Sequence, residues 1–165
     1  MRSRLERMQE AYLDYIAAQE GKLLDRDETL NWERMHMASC ARLGYLMAQE
    51  RGVDPDLSAC ACAIHDIGRV VTGRQAGHAQ AGLAPARAFL AGTGLFSPEE
   101  AELLAQAQAV AHHSDKAAVG TPIEEIVKDS DVVDCFQYGL PFARPEQERR
   151  YQSWLATRPG ERDER

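Results

Sequence analysis

The chain has 165 residues, 44% hydrophobic and 27% charged, with a formal net charge of −7. That is enough apolar material for one domain to bury its own core, while the acidic balance argues against extended contact with nucleic acid or an anionic membrane, both of which need a basic surface. The charged, amphipathic start MRSRLERMQE is unlike a signal peptide and no apolar run is long enough to span a bilayer, so a cytoplasmic location is expected.

Leu5, Met8, Tyr12, Tyr15 and Ile16 recur at intervals of three and four, which predicts a helix with one apolar face over about 4–19, stopped by Gly21. A charged connector leads to a second helix over 30–51, with His36, Cys40, Leu43 and Met47 along one stripe, so that His36 turns inward; Gly52 ends it. Asp54 and Pro55 suit the N-cap and first position of a third helix, which carries Leu57, Cys60, Ile64 and His65 and is expected to close at Gly68. A loop over 68–77 holds Arg69, Gly73 and Arg74, and an Ala-rich helix then runs from His78 to about Leu90, with Gly92 and Gly94 behind it.

Ser97-Pro98-Glu99-Glu100 is a capping box that starts a helix through Leu103, Leu104 and Val110 to His113. Thr121-Pro122-Ile123-Glu124 repeats that logic for a helix bearing Ile126, Val127, Asp131 and Asp134. A last helix over about 147–155 packs back on the core, and the charged end 158–165 has no apolar face and is expected to fray. With no repeat and no sustained alternation, the expected fold is an all-α, single-domain bundle of about six or seven helices over 1–165.

Every histidine falls in one central span: His36, His65 in the stretch AIHDIGR, His78, and the pair His112-His113, followed by Asp131 in KDSDVVD. Imidazole mixed with carboxylate suits a divalent transition metal, and Mg or Mn less selectively. A hydrolytic site needs such donors with coordination positions left for water and substrate, and His36, His65, Asp66 and Asp131 form that set. Neighbours on a helix point about 100° apart, so His65 and Asp66 share one ion only near a helix end, where Gly68 places them. The four cysteines, Cys40, Cys60, Cys62 and Cys135, sit in helical apolar contexts and read as buried reduced thiols; Cys60 and Cys62, two apart on a helix, do not face one direction.

The ordered series His36, His65-Asp66, His78, His112-His113, Asp131 resembles the HD-domain superfamily of metal-dependent phosphohydrolases over about 34–134. The resemblance implies an all-α HD-domain bundle in which His36, His65, Asp66 and Asp131 bind a first divalent ion (Mn, Fe, Co, Ni, Zn or Mg) and Asp66 bridges to a second where one exists. It assigns His78 and His113, in preference to His112, to that second ion or to phosphate contacts, because Val110 three places before His113 fits the family pattern. Arg69 stands where HDIGK-type members carry lysine and keeps a cation for a phosphate oxygen; with His65 and Asp66 it completes the implied catalytic set. The absence of a GYP motif argues against the cyclic-di-GMP branch.

The implied activity is hydrolysis of a nucleotide or another small-molecule phosphate ester by metal-activated water. An HD-type di-iron oxygenase and a metal-binding regulatory module without turnover are the competing readings; oligomeric state is left open. Singly, His36 reads as a core histidine and Asp131 as a solvated one, and only their company changes this. Asp129 and Asp134 read as surface or supporting groups, Asp134 orienting a helix partner. Arg74, Arg87, Lys116 and Lys128 read as solvated charges, and Met35, Met37 and Met47 as core filling.

Overall fold

The computed structural model describes residues 2–110 and 119–158. Among these residues every regular element is a helix: α1 Arg4–Ala17, α2 Leu30–Arg51, α3 Pro55–Ile64, α4 Ile67–Thr72, α5 His78–Ala81, α6 Leu83–Thr93, α7 Pro98–Val110, α8 Pro122–Gln137 and α9 Pro145–Ala156. Seven have ten or more residues, in keeping with the expected bundle, and α4 and α5 are short insertions between them. No helix among the described residues is long and apolar enough to cross a membrane.

Helix starts follow local chemistry. The Thr29 hydroxyl accepts from Trp32 N–H at 3.1 Å, Asp54 from the N–H groups of Asp56 and Leu57, and Ser97 and Glu100 cap each other reciprocally. Thr121 and Glu124 form the second reciprocal box at the head of α8.

One apolar cluster unites the elements: Met8, Tyr12 and Ile16 of α1, Met37, Cys40 and Met47 of α2, Cys60 and Ile64 of α3, Leu90, Leu104, Ile126 and Val133, with Trp154 of α9 against them. Helices α2 and α3 approach closely because Gly44 has no side chain; a Cβ there would collide with the Cys62 sulfur. This approach sets His36 on α2 opposite the end of α3.

The structure departs from expectation where long-range contacts override local signals. Helix α3 stops at Ile64, and a new helix, α4, runs over Ile67–Thr72, most of it inside the stretch 68–77 expected to be loop. Gly68 therefore lies within a helix instead of ending one. Its role is a close approach, because a Cβ at Gly68 would run into the carbonyl of His78 and stand 2.7 Å from the amide of Gly82. The Ala-rich helix after Gly77 is divided at Gly82 into α5 and α6. Met35 is half exposed whereas Met37 and Met47 are buried, and Lys128 is buried against Glu125 at 3.0 Å instead of being solvated. His112, His113 and Lys116 lie outside the described residues.

Candidate metal centre

Three breaks and faces in the helical framework converge on one buried point. His36 lies on the inner face of α2; His65 caps the end of α3; Asp66 has a backbone φ of −99° and ψ of 15°, outside helical geometry, as the N-cap of α4. His78 opens α5, and Asp131 and Asp134 sit one turn apart on α8. The break between α3 and α4 lets adjacent residues aim at one point, which successive positions of a continuous helix do not.

The side chains converge at short range. His36 Nε2 is 3.2 Å from His65 Nε2, 3.4 Å from Asp66 Oδ2 and 3.3 Å from Asp131 Oδ1. His65 Nε2 is 3.3 Å from Asp66 Oδ2 and 3.6 Å from Asp131 Oδ1. Ligands about 2.1 Å from a common ion stand about 3.0 Å apart in octahedral and about 3.4 Å apart in tetrahedral coordination. The observed spacings match edges of such polyhedra, so this donor set fits one divalent ion.

Each histidine is anchored through its other nitrogen. His36 Nδ1–H donates to Asp134 Oδ2 at 2.6 Å, His65 Nδ1–H to the Cys62 carbonyl at 2.6 Å, and His78 Nδ1–H to the Gln75 carbonyl at 2.5 Å. With Nδ1 committed, the three described rings direct Nε2 toward the cluster, the arrangement a metal-binding imidazole requires. His78 Nε2 stands 3.1 Å from Asp66 Oδ1, the carboxylate oxygen opposite the one facing His36 and His65. Asp66 is thus placed to bridge two positions.

The electrostatics call for a cation. Glu33, Asp66, Asp131 and Asp134 are all buried here. Arg69, also buried, donates to both oxygens of Glu33, at 2.7 and 3.1 Å, to Asp66 Oδ2 and to Gln75 Oε1 at 2.6 Å. One guanidinium offsets part of four carboxylates. Burial and the Asp66 charge raise the Glu33 pKa above the usual carboxylate range, against the pull of Arg69. Burial disfavours charge on His36, yet Cys40 and the carboxylates of Asp131, Asp134 and Asp66 raise its pKa well above that of an ordinary histidine. The cluster draws in positive charge, and a divalent ion satisfies it with ligands that need no proton.

Two triads of potential ligand atoms include sulfur, His36–Cys40–His65 and His36–Asp131–Cys135. Burial pushes the Cys40 thiol up to about 12 and raises Cys135 further. A thiol that resists ionisation is a poor ligand beside ready imidazoles and carboxylates, and Cys40 Sγ lies 3.6 Å from the same His36 Nδ1 that Asp134 engages. The oxygen and nitrogen set is therefore the better cage.

Around the ligands, Trp32 stacks on the His36 ring with centroids 5.0 Å apart. Glu33 and Gln75 hold Arg69 in place, although neither stands out in the sequence: an acid in a first helical turn ordinarily reads as a solvated partner of the helix dipole. The one available signal for Glu33 is its spacing of three from His36, which puts both on one face. Asp129 lies away from the ligands, paired with Arg51 and Arg150 at 2.7 and 2.8 Å. Arg74 and Arg87 are exposed in ion pairs with Asp25, Asp27 and Glu102.

A cavity of about 360 Å³ opens beside His78, lined also by Asp27, Gln75, Gly77, Ala79 and Arg144. Of the residues in the cluster, His78 is the one on its wall.

The HD domain family model matches residues 34–137. No curated protein and no solved structure matches the chain.

Proposed function

We propose that this chain, which belongs to the HD domain family, is a metal-dependent phosphohydrolase that cleaves a nucleotide or another small phosphate ester with an activated water. The observation that carries this reading is the convergence of His36 Nε2, His65 Nε2, Asp66 Oδ2 and Asp131 Oδ1 at mutual spacings of 3.2–3.6 Å where measured. These four residues would hold one divalent ion, and Asp66 Oδ1 with His78 would hold a second. The mixed nitrogen and oxygen set favours Fe, Co, Ni or Zn over Mn or Mg. When bound, such an ion polarises a phosphoryl oxygen and lowers the pKa of a coordinated water from 15.7 toward about 7.

The protein's own groups do the rest. Asp134, Cys62 and Gln75 fix the imidazoles in the tautomer that presents Nε2. Arg69, held by Glu33, pairs with Asp66 and orients it. The cavity beside His78 gives the ester a place to lie, and Arg144 brings a guanidinium to its wall, the group whose fork matches phosphate oxygens.

Protein stripped by chelation is assayed for phosphate release from a panel of nucleoside monophosphates and sugar phosphates, before and after adding Mn, Co or Zn. Release that depends on the added ion, and is lost in Asp66→Ala with its fold intact, supports the proposal. Chelator-insensitive release defeats the mechanism; oxygen consumption without phosphate release transfers the site to the di-iron oxygenase reading.

A further inference from the structure

The connector between α1 and α2 grips the turn between α4 and α5. Asp27 N–H donates to the Gly73 carbonyl at 2.8 Å, and Asp27 Oδ2 accepts from the Gln75 backbone N–H at 2.7 Å. Arg74 Nη1 reaches Asp27 Oδ1 at 3.1 Å, Arg74 Nη2 reaches Asp25 Oδ2 at 3.0 Å, and Arg26 Nη1 donates to the Val70 carbonyl at 2.9 Å.

Gln75 is the residue through which this grip meets the metal centre. Its carbonyl receives the His78 Nδ1–H, and its side-chain oxygen receives Arg69 Nη1. Its N–H is held by Asp27, so one residue has its backbone donor fixed by the connector and its backbone acceptor fixed to a proposed ligand. The two groups lie in successive peptide planes joined at the Gln75 Cα, so freeing the first lets the Gln75 backbone turn and shift the carbonyl that sets the His78 ring. The Gln75 amide is the largest of the pulls that keep the Asp27 carboxyl below the usual range, with Arg74 adding to it.

We propose that Asp27, which lies before the span matched by the HD domain, is a positioning residue for His78: it holds the Gln75 backbone so that the His78 ring presents Nε2 to Asp66. Arg74 is peripheral to this task, because it meets the other Asp27 oxygen and leaves the Gln75 bond in place. The functional consequence rests on the reading above, in which His78 holds a second ion with Asp66. Asp27 then governs the weaker ion without touching it. The tighter ion, held by His36, His65, Asp66 and Asp131, is independent of the connector.

The test uses the full chain and titrates Co(II) into wild type, Asp27→Ala, Asp27→Asn, Arg74→Ala, His78→Ala and the Asp27→Ala/His78→Ala double variant. Wild type is expected to take up two equivalents. Asp27→Ala weakens the second about tenfold or more, the range for losing a group that orients a ligand, and leaves the first unchanged, which also reports an intact fold. Asp27→Asn, whose side-chain oxygen still accepts the Gln75 N–H, stays near wild type, as does Arg74→Ala. The double variant behaves as His78→Ala alone, because the two residues act through one bond chain. An unchanged second equivalent in Asp27→Ala, or an equal loss in Arg74→Ala, overturns the proposal.

If wild type takes up one equivalent only, the two-ion reading fails and the positioning claim is decided on the ring itself. Nitrogen NMR of labelled histidine then reads the His78 Nδ1–H bonded to Gln75. Its loss in Asp27→Ala and its retention in Asp27→Asn support the proposal, and its persistence in Asp27→Ala refutes it.

Discussion

Asp134 tests the logic of the proposed centre most directly, since it is not one of the proposed ligands yet holds the ring of one, His36. Its carboxylate is 2% exposed and accepts the His36 Nδ1–H at 2.6 Å. Asp134→Ala removes that acceptor and a charge that makes His36 a better donor. Losing such a partner costs roughly 10–100-fold in metal affinity, or about 1.4–2.7 kcal/mol. Asp134→Asn retains an acceptor oxygen without the charge and is expected at the low end, about tenfold.

Stability should move with affinity in a defined way. An ion at a hundred times its dissociation constant stabilises the fold by about 2.7 kcal/mol, and a tenfold weaker site at the same concentration leaves about 1.4 kcal/mol. Metal-free Asp134→Ala is expected to lose stability too, because the buried His36 Nδ1–H loses the carboxylate that accepts it. Competition with a chromophoric chelator gives the affinities, and melting with and without Co(II) gives the stabilities. A folded Asp134→Ala protein that binds Co(II) within about twofold of wild type refutes the account of how His36 is held.

Other consequences are equally concrete. Cys40 is excluded from the cage, so Cys40→Ala is expected to leave Co(II) affinity within about twofold, and the Co(II) spectrum to lack a thiolate charge-transfer band; such a band would restore sulfur as a ligand. Gly68→Ala forces a methyl against the His78 carbonyl and is expected to cost about 1–3 kcal/mol, as overpacking does, read as a lower denaturant midpoint at unchanged slope. Glu125 resists burial, which alone would raise its pKa, because Arg150, the Gly120 N–H and Lys128 draw it down from 4.5 to about 2. A carboxyl lowered on folding contributes stability above its unfolded pKa, so that contribution should vanish as pH falls from about 5 to 2. Glu125→Gln is expected to flatten this part of the stability profile, and an unchanged acid limb would argue against the pairing.

The parts of the fold legible in the sequence were those decided within a turn or two of chain. Thr121 and Glu124 cap each other across three residues, and the stripe of Met8, Tyr12 and Ile16 needs only helical periodicity to place α1 on the core. His36 could be turned inward on the same basis. Gly68 was read as a stop because a glycine after an apolar helix ordinarily is one; its actual role depends on the His78 carbonyl ten residues on. Lys128 reads as solvated because Glu125, the acid it meets, is held by Arg150 of α9, a contact the local sequence does not show. Glu33 was invisible for a related reason: its partner Arg69 is 36 residues away and meets it only once α4 forms.

The three anchoring bonds also imply an order among the ligands. His36 leans on a carboxylate, whereas His65 and His78 lean on backbone carbonyls. A carboxylate raises the basicity of the imidazole it holds more than a neutral carbonyl does. The position shared by His36, His65, Asp66 and Asp131 therefore combines the strongest imidazole with two carboxylates, while the position at His78 relies on one carbonyl-held ring and the far oxygen of a shared carboxylate. On the proposed two-ion reading, that asymmetry makes the first position the one to fill at low metal concentration and the one at His78 the one that follows as metal supply rises.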